Sequence, residues 1–378
     1  MFEKVIGQKK LIEQLISLES KDKVPHAILF SGDAGRGGLA LAIAFAQHLL
    51  CTKKKENKTC GECANCQKSA QLIHPDLHFS FPVVKLSSKK RDITYSDDFI
   101  KEWREIVLES SYFTYSDWLS HIQASEKQGD INVTECNEII KKLSLKAFGG
   151  GKKILILWLP ELLGKESNRL LKLIEEPPEN TILLFVTEQE GVLLKTIISR
   201  FQIVKLPPIS SKDMISALQS EAQISAEQAE QICLVTEGNY IDAKALLTGN
   251  TEDMTELVIN WLRICYQRNS LNLLSWTEKF GSFPKEVQKQ VLSYTLFILR
   301  EFIKLNYIGA DHVSLQNDEF EKLKGLSSTL SIEKAEDIAK IISDSIYSIK
   351  RNANVRILMM ADSLEIGKIL RRKEVSII

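Results

Sequence analysis

The sequence contains no apolar run approaching the roughly 18 to 20 residues needed to cross a bilayer, and Met1 to Lys10 hold no hydrophobic export segment. Both features predict a cytoplasmic chain. An excess of charge is missing too: 49 Lys and Arg stand against 49 Asp and Glu, so no global positive field draws the chain to nucleic acid or an anionic membrane. Any contact with DNA must be local or shared with partners. Cysteine is sparse outside one cluster. Cys136, Cys233 and Cys265 are scattered through apolar-rich stretches, where a thiol serves as a small hydrophobe, while the other four lie between positions 51 and 66. In a reducing compartment that clustering points to metal and away from disulfides. No internal repeat or low-complexity tract is evident.

What is present is enough for a sizeable core: 378 residues, 44% of them hydrophobic, predict two or three domains. Ala27-Ile-Leu-Phe-Ser31, Ile154-Leu-Ile-Leu157, Ile182-Leu-Leu-Phe-Val186 and Ile203-Val-Lys-Leu206 are short apolar runs, suited to strands buried on both faces of a parallel sheet. Between them lie helical patterns, Leu39 to Leu50 and Ser167 to Glu176, the second stopped by Pro177-Pro178. The alternation implies an α/β domain. After Leu206-Pro207-Pro208 every segment reads as helix. Ile338, Ile341, Ile342, Ile346 and Ile349 fall on one helical face, and Val355, Leu358, Leu364 and Ile369 continue a similar stripe.

The run ending at Ser31 leads into Gly32-Asp-Ala-Gly-Arg-Gly-Gly-Leu39 and then a helix. A phosphate-binding loop belongs at such a place, with the helix N-terminus aimed at the anion. Lys and then Ser or Thr should follow Gly37; Gly38 and Leu39 stand there instead. Without the ammonium and the Mg²⁺-binding hydroxyl, hydrolysis loses the charges that neutralise its transition state. A glycine-rich turn with no ligand is the plain alternative. The neighbours bear on the choice: Val5-Ile-Gly-Gln8 and Pro25-His-Ala-Ile-Leu-Phe30 upstream, then Asn168-Arg-Leu-Leu-Lys172, Glu175-Glu-Pro-Pro-Glu-Asn180 and Ile198-Ser-Arg-Phe-Gln202 downstream.

In this order, over roughly the first 210 residues, the set resembles the clamp-loader branch of AAA+ proteins, in particular its bacterial delta-prime and gamma/tau types. The resemblance implies a RecA-like α/β domain over 1–207, a helical lid over 208–248 and an all-α collar over 249–378. It also allows a further test of the site. Counting back from Glu175-Glu176-Pro177, the family's Walker B acids fall on Leu157 and Trp158, and the nearby Glu161 is out of register. The family's sensor arginine aligns with Ile241 in Gly238-Asn-Tyr-Ile-Asp242. Loss of these groups together separates the delta-prime type from the ATP-hydrolysing gamma/tau type. By the same resemblance, Ser199-Arg200 matches a motif whose arginine reaches a neighbouring subunit's ATP as a finger in trans. A surface ion pair is the alternative for an arginine there, and the family's usual Cys after it is Phe201 here.

Cys51, Cys60, Cys63 and Cys66 carry tight Cys-x-x-Cys spacings that let sulfurs converge on one tetrahedral Zn²⁺. A redox-active pair is the weaker alternative. A zinc module between the phosphate-loop helix and a strand over Leu77 to Val83 is also what the resemblance implies, in a structural role. His74 and His78 are near enough to compete as ligands, though four thiols suffice. The stretch from Lys85 to Asp130 is long for the family. Its Trp103, Tyr112, Phe113, Tyr115 and Trp118 suit either stacking on single-stranded DNA or, more commonly, the core of a small helical insertion.

The expectation is therefore an ATPase-inactive clamp-loader protomer of a DNA polymerase III complex. It binds structural zinc and no ATP of its own, joins gamma/tau and delta subunits through its collar, to which Arg351-Asn-Ala-Asn-Val-Arg356 also belongs by resemblance, and meets the sliding clamp and primed DNA through the complex. An active AAA+ ATPase and a zinc-dependent nucleic-acid-binding protein are the rival readings.

Overall fold

Strand-forming runs and the crossovers between them account for the first half of the chain. In the computed structural model the described residues are 2–55, 58–85, 95–148, 151–247, 251–309, 330–350 and 353–372, with 313, 321 and 325. Strands β1 (Ala27–Ser31), β2 (Leu77–Ser80), β3 (Lys153–Trp158), β4 (Thr181–Thr187) and β5 (Gln202–Lys205) pair in the order β2-β3-β4-β1-β5. Every pairing is parallel. Parallel neighbours need crossovers long enough to hold helices. These are supplied by α2 (Gly38–Leu50), α3 (Ala64–Ala70), α4 (Ile100–Glu109), α5 (Tyr115–His121), α6 (Val133–Ser144), α7 (Leu171–Glu175) and α8 (Lys195–Ile198), while α1 (Lys9–Ser20) precedes β1.

Side chains alternate between the two faces of the sheet, and each face has its own core. Ile28, Phe30, Ile154, Ile156 and Trp158 meet α2 and the 95–130 segment; Ala27, Leu29, Leu155 and Leu157 meet α6 and α7. An α/β AAA+ sheet followed by helices is the architecture observed. β2 ends at Ser80, short of the expected Val83, because Pro82 cannot donate to a ladder. Val83 then makes an isolated antiparallel bridge to Asp130, which closes the base of the insertion. Ser167–Leu170 is 3-10 helix instead of the start of an α-helix; it belongs to a Pro160–Leu170 segment kinked at Gly164 (φ 52°, ψ −131°).

Beyond β5 lie only helices among the described residues: α9 (Ser211–Glu221), α10 (Ala226–Thr236), α11 (Tyr240–Leu247), α12 (Thr251–Gln267), α13 (Ser270–Gly281), α14 (Lys285–Tyr307), α15 (Ile332–Lys350) and α16 (Val355–Arg371). Two compact units result, Met1–Ala217 with Gly238–Ile241, and Leu218–Glu237 with Asp242–Ile378. The expected boundary at 248 and the residues Arg351 and Asn352 lie outside the described residues. In the second unit Trp261 stacks on Trp276 (4.8 Å between ring centroids) and donates its indole N–H to Ser363 Oγ (2.9 Å). The isoleucine stripe of α15 is buried at Ile338, Ile342 and Ile349. On α16 the buried face is Met359, Ser363, Ile366 and Leu370. Leu364, expected on that stripe, is 51% exposed, because one residue's turn of about 100° carries it off the Ser363 face.

Candidate functional site

The segment after β1 has the outline of a phosphate loop, and its own chain packs around it closely. Gly37 caps α2 in the left-handed region (φ 85°), a conformation that glycine adopts without strain. At Gly35 a Cβ would stand 1.7 Å from Asn239 Oδ1 and 2.8 Å from Ile241 N, so only glycine lets the two backbones meet. Tyr240 donates its N–H to Gly35 O (3.1 Å), and Gln8 Nε2 donates to the carbonyls of Arg36 (3.1 Å) and Pro207 (2.8 Å). Asp33 and Arg36 pair with each other. Gly38 faces Val186 and Leu206, where a Cβ would find contacts of 3.0 and 3.1 Å, and Leu39 is buried in the core. A cleft of about 460 Å³ opens beside the loop, lined by Ser31, Gly32, Asp33, Arg36, Glu188, Glu190 and Lys205.

At the end of β3 the two residues expected at the Walker B positions are buried apolar side chains, Leu157 on one face and Trp158 on the other. Trp158 packs against Phe113 (5.1 Å) and Trp103 (5.4 Å). The carboxylate of Glu161 accepts from Thr187 Oγ1 (2.8 Å) and from the Glu188 N–H (3.0 Å), which binds the ends of β3 and β4 together. Burial raises its pKa against these stabilising bonds.

Arg200 follows α8, and Ser199 Oγ donates to Thr196 O (3.3 Å) to close that turn. The guanidinium is about a third exposed; it pairs with Glu175 and donates to Thr196 O. Glu175 is a partner that the sequence did not suggest, although it belongs to the Glu175-Glu-Pro-Pro motif already singled out. Phe201 fills the core against Phe185 (4.7 Å), which accounts for a bulky apolar residue in place of cysteine.

The four clustered cysteines do converge: their sulfurs all lie within 4.8 Å of one another. Cys51 ends α2, Cys63 caps α3, and Cys66 lies inside α3. Sulfur separations of 3.6 Å (Cys51–Cys60) and 3.8 Å (Cys60–Cys66) are near the roughly 3.8 Å edge of a tetrahedron with 2.3 Å metal–sulfur bonds. Backbone N–H groups point at three of the sulfurs, each over 3.4 Å: Cys60 N at Cys51, Cys63 N at Cys60 and Cys66 N at Cys63. Burial pulls the Cys63 thiol up, but N–H groups of Cys66 and Thr52 outweigh it and bring it down to about 5. Burial raises Cys66. The donor set fits a soft, tetrahedral cation. Hydrogen bonds from Asn65 to Leu50 O (3.1 Å) and from Gln47 to Ser69 O (3.0 Å) dock the module on α2. His74 and His78 stand outside the cluster; His74 Nδ1 accepts from the Asp76 N–H (3.1 Å), and His78 lies in β2.

With that geometry in view, residues 7–210, more than half of the chain, match the family model described as DNA polymerase III, delta subunit. The chain belongs to the DNA polymerase III delta-subunit family. Among its relatives, DNA polymerase III subunit delta' of Bacillus subtilis (strain 168) is 26% identical over 93% of this chain and 94% of that protein. Subunit delta' of Escherichia coli (strain K12) is 26% identical over 63% of this chain and 59% of its own length. Subunit tau of Bacillus subtilis (strain 168) is 25% identical over 65% of this chain and 37% of its own. The resemblance read from the motifs is therefore correct at the level of the family.

In this DNA polymerase III delta-family chain, the segment between Val83 and Asp130 carries three buried aromatic rings. Trp103 and Trp118 are wholly buried and Phe113 nearly so. Trp103 packs on Phe81 (4.2 Å), and Trp118 donates its indole N–H to Pro82 O (2.8 Å). These three rings form the core of a small helical insertion, so stacking on single-stranded DNA is not open to them.

Proposed function

We propose that this chain is a delta-prime-type subunit of a DNA polymerase III clamp loader, hydrolysing no ATP itself and lending Arg200 to the ATP site of a neighbouring gamma/tau subunit. One observation carries the reading. The positions for a phosphate-binding lysine, a magnesium-binding hydroxyl and two Walker B acids hold Gly38, Leu39, Leu157 and Trp158, while Arg200, on the surface after α8, keeps its guanidinium. Phosphoryl transfer depends on charge placed around the γ-phosphate, and none of those four residues can supply it. An arginine finger needs only a surface position and a weak tether. The exposed pair with Glu175 provides such a tether, since a desolvated triphosphate is the stronger partner for a guanidinium.

On this reading, residues 208–248 act as lid and 249–378 as collar. Ile357 (69% exposed), Leu271 (78%) and Leu364 (51%) are large apolar side chains on the surface of the second unit, which suits packing against partner collars. Zn²⁺ would sit among Cys51, Cys60, Cys63 and Cys66. There it would hold the module's turns together by thiolate ligation, with all four positions filled and none left for substrate. The sliding clamp and primed DNA are met through the assembled complex, in the cytoplasm.

Co-purification with delta and gamma/tau subunits, together with calorimetric titration of ATP into the isolated chain, tests the assignment. Assembly without ATP binding is the expected result. Failure to assemble sinks it, and ATP binding by the chain alone favours an active ATPase of the gamma/tau type.

A further inference from the structure

The insertion reaches back to the degenerate phosphate loop at Tyr112. Tyr112 Oη accepts the Ile6 N–H over 2.8 Å. The same oxygen is so near Gly37 that a Cβ there would come within 2.7 Å of it. The Tyr112 ring stands edge-on to Tyr240 (5.1 Å), the residue that donates to Gly35 O. Phe113, the next residue, packs into the core. Its ring meets Trp158 at 5.1 Å and Trp103 at 5.8 Å, in the same apolar cluster as Leu39. The turn itself is fixed by Ser110, whose Oγ accepts from Tyr112 N (3.1 Å) and donates to Tyr112 O (3.4 Å).

These contacts join the Val5-Ile-Gly7 segment, the glycine loop and the end of β3. Two of the substituted positions, Leu39 and Trp158, supply apolar surface to the cluster that receives Phe113. A triphosphate entering there would lose its water and find aromatic carbon and a phenol in exchange. The half-buried phenol stays neutral, its pKa pushed up to about 12 by burial against a smaller opposing effect of the Ile6 N–H bond.

We propose that the Tyr112–Phe113 turn of the insertion fills, within its own chain, the space a nucleotide would need over the degenerate loop, closing that site by occupancy as well as by loss of its charged groups. The proposal rests on reading the loop as a lapsed nucleotide site. It assigns the insertion a role that the aromatic composition alone did not reveal.

Amide hydrogen exchange on the full chain, read by mass spectrometry over residues 3–8 and 32–39, tests it. Tyr112→Phe removes only the hydroxyl and should raise exchange in the 3–8 segment roughly tenfold, with circular dichroism unchanged. Tyr112→Ala should raise exchange in both segments. Unchanged protection in a folded Tyr112→Phe chain overturns the plug alone and leaves the clamp-loader reading standing. If millimolar fluorescent N-methylanthraniloyl-ATP binds the wild-type chain and protects residues 32–39, the plug and the ATPase-inactive reading fall together. No binding by the wild type, with increased exchange in both variants, supports the proposal.

Discussion

Arg200 is tethered to Glu175, so the residue proposed to act on a neighbour is held, in the chain alone, by a carboxylate of the Glu-Glu-Pro-Pro motif. Both side chains are about a third or more exposed, and the pair is screened by solvent. Arg200→Ala should therefore change the stability of the isolated chain by less than about 1 kcal/mol. In a reconstituted complex the same substitution should lower ATP turnover at least roughly tenfold, because a finger's charge is used only at the transition state. Arg200→Lys should not restore it, since a compact ammonium lacks the planar fork. Full turnover by the alanine variant, measured in a coupled ATPase assay with partners present, would remove Arg200 from the mechanism.

The strands at Ala27, Ile154 and Ile182 were legible because residues buried on both faces of a parallel sheet leave uninterrupted apolar runs. The cysteine cluster was legible because its spacing constrains the backbone so strongly. Less could be read where packing decides. Leu364 fits a helical stripe as well as Ile366 does, and only the neighbouring helices determine which is covered. Nor could spacing show that Tyr112 meets Ile6, more than a hundred positions away, since an aromatic residue in an insertion carries no mark of its partner. Glu161 was visible as an acid near β3, but its engagement by Thr187 and Glu188 belongs to tertiary structure.

Phe201 offers a direct check on how the finger's surroundings are built. The ring is 8% exposed and packs on Phe185 at 4.7 Å. Phe201→Cys leaves a cavity on that face of the sheet, and should cost about 2 to 4 kcal/mol in urea denaturation. A loss under about 1 kcal/mol would mean that the core collapses around the gap.

The sulfur cluster leads to a prediction about metal. One zinc per chain is expected by elemental analysis, and its removal with a chelator should lower the melting temperature by roughly 5 to 10 °C, because ligation energy is folding energy for a module with so small a core. Cys63→Ser should reproduce most of that loss. A chain purified without chelators that carries no metal, and melts identically after chelation, would contradict the zinc assignment.

His78 should make the first unit sensitive to acid. Burial lowers its pKa to about 4, with the Lys142 charge adding to the effect, whereas an unfolded histidine titrates near 6.5. The unfolded state therefore binds more protons between these values, so stability rises with pH across that window. The contribution is fully present above about pH 6.5 and is lost progressively as pH falls toward 4. From pH 7 to pH 5 the loss attributable to this one group is about 2 kcal/mol. His78→Gln keeps a polar side chain in β2 without a titrating ring, and should flatten the difference between urea denaturation at the two pH values by that amount. An identical pH dependence in both proteins would show that His78 is free to take up a proton in the folded chain.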